Sequence, residues 1–177
     1  MSLKLAKITV FIGFISIILG ATACTPILYD HDLVGKVVDG ETNEPIHGAV
    51  VLGKWNKWHA SVAGRMSNFY DASETVTDEN GYFEIEGKGL RLFSNITPMT
   101  AYIIKTPYNL KTVDYKQLVK NNGVVKLYEM TENQLLKYYT PSVIANVPLG
   151  KCKIFIKESE SISKFANGLR KNSRGSR

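Results

Sequence analysis

Short runs that alternate apolar and polar residues, divided by turn residues, cover most of the chain after residue 32. Residues 33–38, 47–55, 100–107 and 123–130 are rich in β-branched and aromatic residues, which predicts strands. Residues 74–77 and 82–87 predict two more strands, joined as a hairpin around "DENG". Because no helical pattern separates the early strands, we predict a mainly β fold, a seven-strand antiparallel sandwich, and not βαβ units.

The predicted hairpin turn raises the question of a cation site. With Asp78 as the first ligand of a calcium loop, Gly81 falls at position 4 and Gly89 at position 12, where glycine and glutamate are needed at 6 and 12. We therefore interpret Asp78, Asn80 and Gly81 as a structural turn, in which Asn80 and Gly81 accept positive φ. Two faces follow from the predicted register: Thr75, Thr77, Tyr82 and Glu84 on one, and Val76, Phe83 and Ile85 on the other.

The C-terminal third has a different pattern. Thr131 and Gln134 have the spacing of a capping box, which predicts a short helix over 132–139 before Pro141. Residues 152–169 are ambiguous and suit a strand followed by a helix ending near Gly168. We predict a partly helical extension over 131–168 and a disordered basic tail over 169–177.

The N-terminus has the layout of a secretory signal peptide over residues 1–23. Two lysines precede an apolar run of about 12 residues, too short for a span of roughly 20, and small residues follow. Cleavage before Cys24 would suit a bacterial lipoprotein, although Ala21 replaces the usual leucine of that motif. Release by ordinary signal peptidase, as a soluble periplasmic or secreted protein, and a retained anchor helix are the alternatives. Residues 24–32 are then a linker.

The chain has two cysteines, Cys24 and Cys152. Acylation of Cys24 would anchor the protein to a membrane and leave Cys152 as a lone thiol, whereas a free Cys24 in an oxidising compartment could form a disulfide with it. The sequence leaves both possibilities open, since a bridge depends on the Cα separation.

Composition and charge narrow the function classes. The chain is 44% hydrophobic and 21% charged, which is typical of a globular protein. Without Lys4 and Lys7 it retains 20 basic and 16 acidic residues, a net charge of about +4. We expect no nucleic-acid partner, because no basic stripe is interleaved with aromatic residues.

Two stretches resemble the carboxypeptidase regulatory-like domain, a relative of the transthyretin (prealbumin) β-sandwich. The similarity lies in "VGKVVDGETNEPIHGAVV" and "TVTDENGYFEI" and covers roughly residues 33–128. The resemblance implies two antiparallel sheets over 33–130 and no catalytic activity. Members of this family are accessory modules beside enzymes, parts of surface proteins or transporters, or secreted proteins of their own.

Residues 56–73 form an 18-residue insertion relative to the family pattern, and we interpret it as an inserted surface loop. Aromatic residues and arginine dominate protein interfaces and also stack on sugars. The candidate binding residues for a protein or glycan partner are Trp55, Trp58, His59, Arg65, Phe69 and Tyr70. The alternative is that these rings fold back as a cluster over a sheet face.

The sequence contains no assembled catalytic set. His31, His47 and His59 are each followed three residues later by valine, so the His and Glu pair of a zinc carboxypeptidase is missing. There is no G-x-S-x-G motif, and Cys152 has no identifiable histidine partner. We therefore predict a non-catalytic protein of the bacterial cell envelope, a binding or structural module without cofactor or metal. The alternatives are an accessory subunit of an envelope enzyme or transport complex, and a hydrolase.

Overall fold

The computed structural model describes residues 27–62, 64–92, 94–131, 134 and 147–175. These ranges form a mainly β fold with a helical C-terminal extension, as predicted. Their strands are β1 (Ile27–Asp30), β2 (Leu33–Asp39), β3 (Val50–Ser61), β4 (Gly64–Val76), β5 (Tyr82–Ile85), β6 (Gly89–Leu92), β7 (Thr100–Ile104), β8 (Lys111–Asp114) and β9 (Val124–Leu127). The helices are α1 (Tyr115–Lys120) and α2 (Lys153–Gly175), with a 3₁₀ turn at Leu149–Lys151 before α2.

Three sheets arise from the described strands. The larger layer has the order β4-β3-β7-β8, the smaller layer has the order β5-β2-β9, and β1 pairs with β6 in a two-stranded ribbon. All pairs are antiparallel except β2 and β9, which run parallel. The described part thus has nine strands instead of seven, and it is not entirely antiparallel. The parallel pair arises because α1 carries the chain from β8 in one layer to β9 in the other.

The interior of the sandwich is built by the alternating residues of both layers. Residues from β2, β5 and β9 face residues from β3, β7 and β8 across the layer interface. Gly53 leaves room for neighbouring side chains, because a Cβ there would lie 2.6 Å from Met99 Sδ and 3.2 Å from two side-chain carbons of Ile85 on β5. The largest fully buried members of this core are Trp55, Leu33, Ile103, Leu127, Val37 and Val51.

Helix α2 covers the opposite face of the larger sheet. Phe155, Ser159, Ile162 and Ala166 recur at helical spacing and are all buried. The apolar members pack on a second core that includes Val50, Leu52, Ala72 and Ile104. The predicted strand near residue 152 is therefore wrong, as is the helix end near Gly168, because α2 runs continuously to Gly175. The predicted disordered tail over 169–177 overlaps this helix, which is helical in backbone through residue 175.

The chain crosses from one layer to the other at Thr77. Strand β4 pairs with β3, whereas β5 pairs with β2, so residues 74–77 and 82–87 do not form the predicted hairpin. Thr77 is buried, with its hydroxyl donating to Ile46 O at 2.7 Å and accepting from Ala49 N at 2.8 Å. Val76 is 39% exposed instead. The predicted faces of Val76 and Thr77 are thus reversed, because the side chain that bridges the two layers must point inward.

Two predicted segments at the chain ends are described only in part. The predicted linker 24–32 contains strand β1, so residues 27–30 are ordered by pairing with β6. The predicted signal peptide and Cys24 lie outside the described residues. At the other end, Thr131 N donates to Gln134 Oε1 at 2.9 Å and Gln134 N to Thr131 Oγ1 at 3.4 Å, the reciprocal bonds of a capping box. The rest of the predicted 132–139 helix lies outside the described residues.

Candidate functional site

The predicted surface loop over 56–73 is wrong: this segment forms the distal part of a long hairpin. Strands β3 and β4 pair from Val50↔Val76 to Ser61↔Gly64. The register shifts between Trp55 and Asn56, which leaves Tyr70 as the extra residue of a β-bulge. The bulge interrupts the alternation of β4, and both faces of the distal hairpin carry polar residues. For these two reasons the period of a strand is not visible in the sequence.

The distal hairpin extends beyond the sheet that supports its base. Strand β7 pairs with β3 only as far as Lys54, and a single bridge joins Lys57 to Ile96 farther along. At the turn, Ser61 Oγ donates to Gly64 O at 2.9 Å. Val62 and Met66 are exposed, the former completely. We name residues 58–70 the distal hairpin.

Trp58 and Arg65 form the organised part of the distal hairpin. The Arg65 guanidinium carbon lies 4.3 Å from the centroid of the Trp58 ring, a cation–π contact. The backbone of Trp58 is held on its other edge, since Trp58 N donates to Asn95 O at 2.9 Å and Asn95 Nδ2 donates to Trp58 O at 2.8 Å. His59 is exposed and faces Met66 across the pair of strands. Arginine and tryptophan are thus presented together in a fixed geometry.

Trp55 and Phe69 do not belong to this surface. Trp55 is fully buried in the sandwich, and its indole N–H donates to Asp30 Oδ2 at 2.5 Å. Phe69 is partly buried and packs against the core beneath α2. Trp55 is therefore excluded as a binding residue, because the alternation of β3 directs it inward with Val51, whereas the role of the partly buried Phe69 stays a prediction. The other four candidates also lie on the distal hairpin, where Trp58 is half-buried and His59, Arg65 and Tyr70 are exposed.

The Asp78–Gly81 segment is a tight turn at the end of β4. Asp78 Oδ1 accepts from Asn80 N at 2.9 Å and from Tyr82 N at 2.8 Å. Gly81 has φ +79°, and a Cβ at this position would lie 2.5 Å from Val37 O. Glycine is therefore required at position 81 for two reasons, the positive φ and the close approach of β2. Asn80 does not have a positive φ, so that part of the prediction is wrong.

A buried carboxylate that the sequence did not point to holds the base of the hairpin. Asp30 is 3% exposed and accepts from Trp55 Nε1, from Lys88 N at 3.0 Å and from Met99 N at 2.9 Å. Arg91 completes the surroundings, with Nη2 3.6 Å from Asp30 Oδ2. Asp30 thus joins β1 to the sandwich core and to the segment before β6.

Asp71 forms a second charged cluster beside this one. Its carboxylate pairs with Lys88 at 2.7 Å and with Lys151 at 3.2 Å. Burial raises the pKa of the Asp71 carboxyl, but these two ammonium groups outweigh burial and hold it below its usual range. Lys88 also lies 4.6 Å from the centroid of the Trp55 ring. The cluster therefore links β4, the segment before β6 and the 3₁₀ turn before α2.

A cleft of about 550 Å³ opens between β1, residues 97–100 and the start of α1. Three rings lie beside one another at its edge. His31 stacks on Tyr115 with centroids 4.1 Å apart, and Tyr29 meets His31 edge-on at 4.5 Å. The sequence signal for this cluster was weak, because Tyr29 and His31 fall in the segment that we predicted to be a linker.

Comparisons with known proteins do not place the chain in a family. No family model and no curated protein matches it. A solved structure of a streptococcal ancillary pilin aligns over 58% of this chain and 30% of the pilin chain, at 19% sequence identity and a TM-score of 0.33. The aligned part is thus less than a third of the pilin chain.

The remaining chemistry-bearing residues are dispersed. Among the described residues, no group of three or more His, Cys, Asp or Glu side chains could hold a metal ion. Cys152 is buried, and burial together with the Glu74 carboxylate raises the pKa of its thiol. In the same part of the chain, no helix combines the length and apolar character needed to cross a bilayer. Cys24 lies outside the described residues, so its acylation and its disulfide with Cys152 stay predictions.

Proposed function

We propose that this chain is a non-catalytic binding module of the bacterial cell envelope, anchored through a lipid on Cys24, and that the distal hairpin recognises a protein partner. The observation that carries the proposal is the stacked Trp58 and Arg65 pair on strands that extend past their sheet. Beyond Trp58 no described segment pairs with the outer edge of β3, so the end of the ribbon buries little of its own surface. Side chains on it are therefore free to contact another molecule.

The composition of the distal hairpin favours a partner. Met66 is 49% exposed and Tyr70 is 47% exposed, on the same ribbon as Arg65 and Trp58. Tyrosine, tryptophan, arginine and methionine are the residues enriched in protein interfaces. Arg65 already stacks on Trp58, so less conformational entropy is lost when a partner fixes it.

The shape of this surface favours a protein over a glycan. Sugars and other small ligands are bound in concave sites that bury most of their surface. The distal hairpin is instead a projecting ribbon whose turn residue Val62 is completely exposed. A projecting ribbon suits insertion into a groove on another protein, so a glycan partner becomes an outcome of the test.

The base of the hairpin gives the recognition element a rigid mount. Trp55 is fixed by Asp30 below the distal hairpin, and Asp71 beside it is fixed by Lys88 and Lys151. Binding sites carried on supported strands hold their geometry better than sites on loops. This arrangement suits a module that presents a preformed surface.

We also propose that the sandwich is a domain of the carboxypeptidase regulatory-like type. The two stretches that carry the resemblance touch one another in the fold, since Thr77 of the second bonds Ile46 and Ala49 of the first. Val37 N also donates to Gly81 O at 2.8 Å. The shared residues are therefore those that join the two layers, which favours a common architecture as the reason for the similarity.

In-cell photo-crosslinking tests the recognition element. A photoreactive residue at Met66 should give a discrete protein adduct, whereas the same residue at Val119 on α1, which is 57% exposed, should give none. Trp58→Ala combined with Arg65→Ala should abolish the adduct. Lys111→Ala is the control, because Lys111 is exposed on β8, outside the distal hairpin. Equal adducts at 66 and 119, or an adduct that survives the double substitution, would contradict the proposal.

A glycan partner would be revealed by a different result. In that case Met66 gives no protein adduct, and binding of envelope polysaccharide is lost in the Trp58→Ala and Arg65→Ala variant alone. Each variant should first be shown by denaturant unfolding to keep the stability of the wild type.

The anchor is tested separately, since mass spectrometry of the mature protein should show a diacylglyceryl group on Cys24.

A further inference from the structure

One face of the β1–β6 ribbon is apolar and exposed. Tyr29 pairs with Leu90 across the ribbon, and Leu92 follows two residues later on the same face. Tyr29 is 56% exposed, Leu90 62% and Leu92 57%. Three large apolar side chains therefore share a small two-stranded sheet and point away from the domain. We name them the ribbon face.

The opposite face of the same ribbon is used by the fold. It carries Asp30, which is 3% exposed, and Arg91, whose side chain is 11% exposed. The inward face thus carries the charged residues of the ribbon beside Leu28, and the outward face is apolar, whereas a sheet with one solvated face usually turns its polar residues outward. Folding of the domain does not account for the ribbon face, and an apolar face of this kind marks a contact with another phase or molecule.

The course of the chain indicates what covers this face. Only residues 25 and 26 separate Cys24 from Ile27, the first residue of β1. Three Cα steps span at most about 11 Å, because an extended chain advances roughly 3.3–3.6 Å per residue. A lipid on Cys24 would therefore hold the ribbon against the headgroup layer. This step rests on the anchor in the proposed function.

We propose that the ribbon face is a membrane-contact surface, by which the domain lies on the bilayer that holds its lipid anchor. Transfer of a leucine side chain from water to the acyl boundary lowers its free energy, and tyrosine is enriched at membrane interfaces. Tyr29 also belongs to the ring cluster with His31 and Tyr115, and Tyr115 is 39% exposed. Contact at several points would fix the tilt of the domain, which a lipid on a flexible tether does not.

The charges that flank the ribbon indicate an apolar rather than an electrostatic contact. Lys88, Asp32 and Glu86 are exposed and near it in sequence, and the exposed Lys116 lines the cleft beside Tyr29. Mixed signs give no net attraction to anionic lipid, whereas a basic surface would bind more weakly in salt. The contact should therefore form on neutral lipid and persist at high ionic strength.

The experiment uses the acylated protein in phosphatidylcholine vesicles, with the acyl group verified by mass spectrometry of the same sample. A polarity-sensitive fluorophore is attached through Leu90→Cys, and through Val119→Cys on α1 as the matched control, since Val119 is 57% exposed. Cys152 is fully buried and should not react in the folded protein. The label at 90 should shift to the blue and be quenched by lipids that carry a nitroxide, whereas the label at 119 should remain aqueous. A second sample with Tyr29→Ser and Leu92→Ser should lose most of the shift at 90.

The alternatives give distinct results. An acylated protein whose label at 90 behaves like the label at 119 overturns the membrane-contact surface and leaves the anchor intact. A blue shift at 90 in the absence of vesicles means that another copy of the chain covers the face, and this also overturns the proposal. If Cys24 carries no acyl group, the anchor fails, and the same labels on a Cys24→Ser variant with vesicles added decide the ribbon face independently.

Discussion

Glu74 holds the start of the C-terminal helix, and its removal is the sharpest test of how α2 is attached. The carboxylate reaches across from β4 and accepts from Ile154 N through both oxygens at 3.0 Å, and from Phe155 N at 3.0 Å. These amides belong to the first turn of α2, where N–H groups have no partner within the helix. Glu74 therefore has the role of an N-cap residue, although it lies about 80 residues away in sequence.

The loss of stability expected on removing the Glu74 carboxylate has two contributions. Removal of an N-cap acceptor costs about 1 kcal/mol, and loss of a negative charge at a helix N-terminus costs about 0.3–1 kcal/mol. Glu74 is partly exposed, so solvent screening reduces the second term. We expect Glu74→Ala to lower the free energy of unfolding by about 1–2 kcal/mol, a fall in Tm of roughly 2–8 °C for a domain of this size. Glu74→Gln keeps an acceptor oxygen and should lose about half as much.

Denaturant unfolding followed by circular dichroism measures this loss, with hydrogen exchange at Ile154 and Phe155 as the local probe. Glu84→Ala is the matched control, because Glu84 is exposed on β5 and should change stability by less than about 0.5 kcal/mol. Exchange at the two amides should accelerate in Glu74→Ala and not in Glu84→Ala. The reasoning is refuted if both alanine variants unfold alike, or if the amides keep their protection without Glu74.

Two further predictions concern buried and titrating groups. Trp55→Phe keeps a ring in the core but removes the N–H that donates to Asp30. The free energy of unfolding should therefore fall by about 1–3 kcal/mol. An unchanged denaturant midpoint would contradict this. The backbone N–H groups of Thr42 and Glu41 lower the pKa of Asp39 from 3.8. Its contribution to stability is thus present above that unfolded value and lost as pH falls through the lower folded value. Stability measured between pH 5 and 2 should therefore fall less steeply in Asp39→Asn than in the wild type, and parallel curves would exclude a contribution from this carboxyl.

The strands that could be predicted are those whose local pattern and tertiary environment agree. Residues 33–38 alternate and became β2, with Leu33 and Val37 buried in the sandwich. The segments around residues 100–107 and 123–130 likewise contain β7 and β9. Strands β1 and β6 escaped prediction because they pair only with each other, and β6 contains no β-branched or aromatic residue.

Helix α2 was missed as a single element, yet the sequence contains the reason for its position. Residues 49–52 and 101–104 are continuous apolar runs, which indicate a strand covered on both faces. Only one face of β3 and β7 is used inside the sandwich, so a further layer had to cover Val50, Leu52 and Ile104. The apolar period of the last third, together with this uncovered face, predicts a helix on the outside of the sheet.

The sequence analysis identified most residues of the candidate site, but it did not predict how they are arranged. Trp55 and Trp58 lie three residues apart on one strand, so alternation places them on opposite faces. Val51 and Trp55 share the inward face, and that period was already visible in the sequence. Trp58 could not be paired with Arg65 in the same way, because their contact depends on the hairpin register and on the bulge at Tyr70.

The buried carboxylate of Asp30 lies between the ribbon face and the base of the distal hairpin. A lipid anchor orients a domain only if the residues after it are rigid, and a flexible linker would uncouple the two. Asp30 accepts hydrogen bonds from three separate parts of the sandwich, so β1 is fixed to the core within six residues of Cys24. The same carboxylate holds Trp55 at the base of the hairpin. A contact of the ribbon face with the bilayer would thus set the direction in which the distal hairpin is presented.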